Sequence, residues 1–119
     1  MKILVADDSI TEREFIRKVL VSAGYDVTAV ENGEKALEKI KSERFNCILL
    51  DVVMPGKNGF QICREIKKDE FSKDIPVVLI TSKDQESDRF WGMKQGADEY
   101  IVKPVTEEQI LNVVKRFAK

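Results

Sequence analysis

The feature that most constrains the fold of this chain is a regular alternation between short apolar runs and stretches with helical spacing. Three of the runs are continuously apolar, which is typical of strands covered on both faces in a parallel sheet. Two others are less apolar and are expected nearer the edges of the sheet. The five predicted strands lie at residues 3–6, 27–30, 47–50, 77–80 and 100–102.

A stretch with helical spacing follows each predicted strand. Its apolar residues recur every three or four positions, which predicts a helix with one buried face. The predicted buried stripes are Phe15, Ile16, Val19, Leu20 and Ala23; Ala36, Leu37 and Ile40; Ile62, Cys63 and Ile66; Phe90 and Met93; and Ile110, Val113, Val114 and Phe117. Trp91 lies beside the fourth stripe and is expected to be partly exposed.

Four of the predicted helices begin with a capping-box pattern, in which the side chain three residues after the cap bonds back to the backbone of the cap residue. The predicted boxes pair Ser9 with Glu12, Asn58 with Gln61, Ser82 with Gln85 and Thr106 with Gln109. These pairs predict where the helices start.

The alternation predicts one α/β domain over residues 1–119, built as a (βα)5 doubly wound parallel sheet with helices on both faces. Right-handed crossovers restrict the possible strand orders, and five strands favour the flavodoxin-like order 2-1-3-4-5. In that order the first and third strands are neighbours. Ligands of such sheets bind at this switch point, outside the carboxyl ends of the strands.

The composition excludes several classes of chemistry. The chain has no histidine, which rules out Ser-His-Asp and Cys-His nucleophile systems and zinc sites that need histidine. Its two cysteines, Cys47 and Cys63, lie within apolar patterns and are expected to be buried thiols. Basic and acidic residues number 20 and 21, so no nucleic-acid partner is expected. No apolar run approaches the roughly 20 residues of a membrane span, so we expect a cytoplasmic protein.

Polar residues follow four of the predicted strands at the edge where ligands bind. Asp7 and Asp8 follow the first strand, Asp51 the third, Thr81 the fourth and Lys103 the fifth. Three carboxylates are therefore expected to converge, and they would repel one another without a positive charge among them. Mg²⁺ prefers such oxygen ligands, and a lysine supplies a second positive charge. Together with a hydroxyl, this set predicts phosphoryl transfer, with a carboxylate as a possible covalent acceptor.

From residue 2 to residue 117 the sequence resembles the receiver domain of response regulators in two-component signalling, the CheY-like family. The resemblance rests on four motifs, which are Asp7-Asp8-Ser9, Leu50-Asp51-Val52-Val53-Met54-Pro55-Gly56 with Asn58-Gly59, Thr81-Ser82, and Tyr100-Ile101-Val102-Lys103-Pro104. Residues 81–103 further resemble the twitching-motility regulators among chemotaxis-type receivers.

The resemblance implies a role for each matching residue. Asp51 would be the phosphoacceptor, and Lys103 would contact the phosphoryl group. Asp8 would bind Mg²⁺ directly, Asp7 would hold a coordinating water, and the backbone carbonyl of Val53 would complete the protein ligands. The Lys103–Pro104 peptide bond would be cis.

The resemblance also implies how a signal would leave the site. Thr81 would donate its hydroxyl to the phosphoryl group, and Tyr100 would change rotamer in response. A histidine kinase would supply the phosphoryl group, and a downstream protein would bind the face made by the fourth helix, fifth strand and fifth helix. The expected protein is a monomeric switch rather than an enzyme, since it would only phosphorylate and dephosphorylate itself.

Two alternative functions fit parts of the sequence. A flavodoxin-like cofactor binder would need a phosphate loop after the first strand, where Asp7 and Asp8 would repel a phosphate without metal. A small-molecule phosphatase or phosphotransferase using an aspartyl-phosphate would need a second acid two residues after the nucleophile. Val53 occupies that position.

Overall fold

A computed structural model describes residues 1–118 and confirms the predicted α/β architecture. Within these residues five strands alternate with five helices, in the order β1 (Lys2–Ala6), α1 (Ile10–Ser22), β2 (Asp26–Val30), α2 (Gly33–Ser42), β3 (Cys47–Leu50), α3 (Gly59–Lys68), β4 (Val77–Thr81), α4 (Glu86–Lys94), β5 (Glu99–Val102) and α5 (Glu107–Phe117). In this described part of the chain, no helix has the length and apolarity needed to cross a membrane.

The strands form one parallel sheet in the order β2-β1-β3-β4-β5, as predicted. The two less apolar strands, β2 and β5, are the edge strands. Strands β1 and β3 are neighbours, and Ala6 lies opposite Leu50 in their register. The residues that follow these two positions, Asp7 and Asp51, therefore leave the sheet side by side.

The core has two apolar layers, one on each face of the sheet. Strand residues alternate between them, so that Leu4 and Leu50 pack on the side of α2 and α3, whereas Ile3 and Leu49 pack on the side of α1 and α5. Because both faces are covered, the central strands are apolar at successive positions. Both cysteines are buried in these layers as free thiols, as expected, and burial raises the pKa of each to about 12.

Two of the four predicted capping boxes form, at Asn58 with Gln61 and at Thr106 with Gln109. The box predicted for α4 is wrong, because this helix begins at Glu86, later than the pattern at Ser82 indicates. The segment before it is held by one local and one long-range hydrogen bond of Lys83 instead. The Lys83 N–H donates to Thr81 Oγ1 at 3.3 Å, and the Lys83 carbonyl accepts a hydrogen bond from the Tyr100 hydroxyl of β5.

Only half of the box predicted at the start of α1 is present. Ser9 Oγ accepts from the Glu12 N–H at 3.3 Å, so Ser9 is the N-cap. The reciprocal bond is absent among the described residues, because the Ser9 N–H donates to Asp7 Oδ1 at 2.9 Å. The Glu12 carboxylate is thereby left for a contact outside its own helix.

The buried stripe predicted for α4 is wrong. Phe90 and Met93 are 64% and 41% exposed, and Trp91 is 49% exposed, as its position beside the stripe indicates. Phe15 of α1 is also largely exposed, although the rest of its stripe is mostly buried. Helix α4 therefore exposes aromatic and thioether side chains beside the edge strand β5.

Gly92 explains why α4 departs from its predicted pattern. It is the buried residue of α4, and a Cβ added there would lie 2.9 Å from Leu79 Cδ1 and 3.0 Å from Tyr100 Cδ2. The helix backbone itself therefore packs on the sheet, in the space that a side chain would otherwise fill. A pattern of apolar side chains cannot reveal this face.

Candidate functional site

Three carboxylates meet at the carboxyl edge of β1 and β3. One oxygen from each of Asp7, Asp8 and Asp51 lies within 4.8 Å of the other two. Asp7 and Asp51 are buried, whereas Asp8 is exposed to solvent. The structure therefore brings together the three acids that the strand order places at the switch point.

The ammonium group of Lys103 lies among these acids. Its Nζ atom is 3.0 Å from Asp7 Oδ2 and 3.1 Å from Asp51 Oδ2, and it also contacts the Glu12 carboxylate. The Lys103 N–H donates to the Thr81 carbonyl at 2.8 Å, which places the lysine directly after β5, and its peptide bond to Pro104 is cis. Burial lowers the pKa of Lys103, but hydrogen bonds to Glu12 and Asp7 outweigh burial and raise it. The lysine is therefore held as a cation.

Asp51 combines burial with strong electrostatic contacts. Burial raises the pKa of its carboxyl group, and the charge of Asp7 raises it further, while Lys103 opposes both effects. Its Oδ1 accepts a hydrogen bond from the Val53 N–H at 3.2 Å. The carboxylate is poorly hydrated and lies among like charges, so a hard cation bound here would be favoured.

The donor set fits Mg²⁺. This ion prefers carboxylate and carbonyl oxygens and keeps several waters, and the three acids offer oxygens close enough to share one ion. Two of the acids, Asp8 and Asp51, line a cleft of about 440 Å³, together with Glu12, Val53, Ser82, Lys103 and Pro104. Water and a small anion therefore have access to the carboxylates.

Thr81 and Tyr100 are linked through one loop residue. Thr81 is fully buried at the end of β4, and its Oγ1 accepts from the Lys83 N–H at 3.3 Å. The Tyr100 hydroxyl donates to the Lys83 carbonyl at 2.7 Å from β5. Burial of this tyrosine raises its pKa to about 12. A shift of the loop after β4 would therefore act on both side chains.

Glu12 is the site residue that the sequence analysis missed, since the capping-box pattern assigned it to the backbone of Ser9. Its spacing contained a usable signal. Glu12 lies in the first turn of α1, a few residues after the Asp7-Asp8 pair that ends β1, so its position in the chain places it near the carboxyl edge of the sheet.

The response regulator receiver domain family matches residues 3–115 of the chain. Protein PilH of Pseudomonas aeruginosa is 42% identical over 113 residues, which cover 95% of this chain and 93% of PilH. Chemotaxis protein CheY4 of Vibrio cholerae superposes with a TM-score of 0.92 at 32% identity, over 98% of this chain and 97% of CheY4. The BeF3-activated receiver domain of DrrB superposes with a TM-score of 0.87 at 34% identity, over 98% and 95% of the two chains.

Other relatives are named as transcriptional or response regulators, and the chain spans only 44% to 50% of their length. The family match covers nearly the whole of the chain, and both the strand order and the acidic switch point agree with it. The chain therefore belongs to the response regulator receiver domain family.

Proposed function

We propose that this chain is a phosphorylation-activated signalling switch of a two-component system, in which Asp51 accepts a phosphoryl group from the phosphohistidine of a histidine kinase. One observation favours Asp51 over the neighbouring acids as the phosphoacceptor. Asp51 is the buried acid that contacts both the cleft and the Lys103 ammonium, at 3.1 Å. Asp7 is also buried and bonded to Lys103, but it does not line the cleft.

The proposed transfer forms a bond between a carboxylate oxygen of Asp51 and phosphorus. The bond from phosphorus to the histidine nitrogen breaks, and that nitrogen keeps the electron pair. Lys103 would donate a hydrogen bond to a phosphoryl oxygen. Because Asp51 would lose its charge while the phosphoryl group brings negative charge, the lysine would keep an anionic partner.

Asp7, Asp8, Asp51 and the Val53 carbonyl would hold Mg²⁺. When bound, the ion would neutralise the charge that develops on the phosphoryl oxygens. The side chain of Val53 is half-exposed and offers no ligand, so only its backbone would contribute. Val53 also lacks the acid that a phosphatase or phosphotransferase of this chemistry would use, which disfavours that alternative.

The output would pass from Thr81 through Tyr100 to the surface formed by α4, β5 and α5. The exposed Phe90, Trp91 and Met93 make the α4 part of this surface suitable for a protein partner. Likeness to PilH favours a role in twitching motility, in the cytoplasm. We further propose that residues 1–119 form one receiver domain, which acts as a monomer and has no catalytic turnover beyond its own phosphoryl group.

The test is phosphorylation by acetyl phosphate in Mg²⁺, followed by intact-mass spectrometry. The wild-type chain should gain one phosphoryl group, Asp51→Asn should gain none, and EDTA should prevent the gain. Asp74→Asn, an exposed acid remote from the cleft, is the matched control and should be labelled like the wild type. Equal labelling of Asp51→Asn would contradict the proposal. Turnover of free phosphate esters would point to a phosphatase instead.

A further inference from the structure

The Lys103 ammonium has its three N–H donors directed to three carboxylates. Two belong to the strand edge, Asp7 Oδ2 at 3.0 Å and Asp51 Oδ2 at 3.1 Å, and the third is Glu12 on α1. Because a lysine ammonium has three donors, no N–H remains for a further anion. A phosphoryl oxygen can reach this nitrogen only by replacing one of the carboxylates.

Glu12 differs from the other two partners in its surroundings. The side chains of Asp7 and Asp51 are 3% and 6% exposed, whereas that of Glu12 is 47% exposed. A buried carboxylate that loses its cation remains desolvated, while an exposed carboxylate regains water. Glu12 is therefore the partner that leaves Lys103 at the lowest cost.

The local structure of α1 makes Glu12 available for this contact. The Ser9 N–H, which a capping-box glutamate would bind, is already bonded to Asp7 Oδ1 at 2.9 Å. Glu12 also lines the same cleft as Asp51 and Lys103. The Glu12 carboxylate therefore lies in the cleft through which a phosphoryl anion must enter, and it adds to the repulsion of that anion by the neighbouring acids.

We propose that Glu12 is a positioning residue that competes with the phosphoryl group for Lys103, so that it restrains phosphorylation by small anionic donors. The inference rests on the proposed function of Asp51 and adds a residue to it. In the free protein Glu12 holds the third N–H of Lys103, and on phosphorylation it is released to solvent. Removal of the Glu12 charge should therefore strengthen binding of a phosphoryl group or its mimic at Asp51.

The experiment measures binding of beryllofluoride, a phosphoryl mimic, by ¹⁹F NMR titration in Mg²⁺. Glu12→Gln keeps the size of the side chain and removes its charge. We expect its dissociation constant to fall about threefold to tenfold below that of the wild type, as for one charge contact at a partly buried site. The difference should shrink at about 1 M salt, because the exposed carboxylate is screened there.

Glu14→Gln is the matched control, since Glu14 lies on the same helix and pairs with Arg17 rather than Lys103. It should bind like the wild type, and thermal unfolding should show that both variants are folded. An unchanged or higher dissociation constant for Glu12→Gln would overturn the inference, as would an equal gain in Glu14→Gln. If the wild type fails to bind, or if Asp51→Asn binds equally well, the proposed function itself fails.

Discussion

Helices α3 and α4 cover the same face of the sheet but are attached to it in different ways. α3 buries Ile62, Cys63 and Ile66, together with Gly59, whereas the buried residue of α4 within the described chain is Gly92. Apolar side chains contribute most of the free energy of packing, because that free energy is proportional to the apolar area removed from water. The comparison shows that α3 is anchored by side chains and α4 mainly by a close backbone approach.

The same contrast extends to what each helix touches. The start of α3 is bonded to the segment that contains Asp51, because the Gly59 N–H donates to the Val52 carbonyl at 2.9 Å. Helix α4 instead contacts Tyr100 through Gly92, and Arg89 Nη1 donates to the Tyr100 carbonyl at 3.1 Å. Helix α3, which buries several side chains, therefore supports the segment of the candidate phosphoacceptor Asp51. Helix α4, which buries few, contacts the candidate switch residue Tyr100.

The largest expected effect comes from truncating one apolar residue on each helix. Ile66→Ala should lower the free energy of unfolding by about 2–5 kcal/mol, because it leaves a cavity in the core. Met93→Ala should lower it by about 1 kcal/mol or less, because this residue is already 41% exposed. Urea unfolding of both variants measures the difference. Similar losses in the two would contradict the account of how α4 is attached.

A smaller effect is expected where α4 approaches the sheet. Gly92→Ala should lower the free energy of unfolding by about 1 kcal/mol, since overpacking costs about 1–3 kcal/mol and the gain in helix propensity offsets about 1 kcal/mol. Ser87→Ala, on the exposed side of the same helix, is the control and should change stability by about 0.5 kcal/mol at most. A Gly92→Ala protein more stable than the wild type would show that α4 has room to move outward without cost.

The most specific effect on signalling is expected at Thr81. Thr81→Ala should still accept a phosphoryl group on Asp51, but the response of α4 should be largely lost, because the hydroxyl that biases the two states is gone. Trp91 fluorescence upon addition of beryllofluoride measures that response. Ser22→Ala, which removes an exposed hydroxyl at the last residue of α1, is the control and should respond like the wild type. A wild-type response in Thr81→Ala would refute this coupling.

Sequence reasoning located all five strands, and each predicted run lies inside the observed strand. The residues it missed are polar ones at strand ends, namely Lys2, Asp26, Thr81 and Glu99. They belong to the strands through backbone pairing, such as Lys2 opposite Asp26. A pattern of apolar side chains cannot detect pairing of backbone groups, so boundaries were harder to predict than strand cores.

The strand order and the meeting of Asp7 with Asp51 follow from the sequence alone. The carboxyl ends of parallel strands share one edge of the sheet, and right-handed crossovers leave few possible orders. Residues that end neighbouring strands must therefore converge. This argument needs only the apolar runs and the residue that follows each of them.

The tertiary structure alone decided the contacts of Glu12 and Gly92. Glu12 binds Lys103 across 91 positions of sequence, and Gly92 packs on side chains of two strands. Such contacts depend on how closely and at what angle each helix lies on the sheet, which the packing of the whole core sets. Local periodicity records which side of a helix is apolar. It contains no information on the distance between that helix and its neighbours.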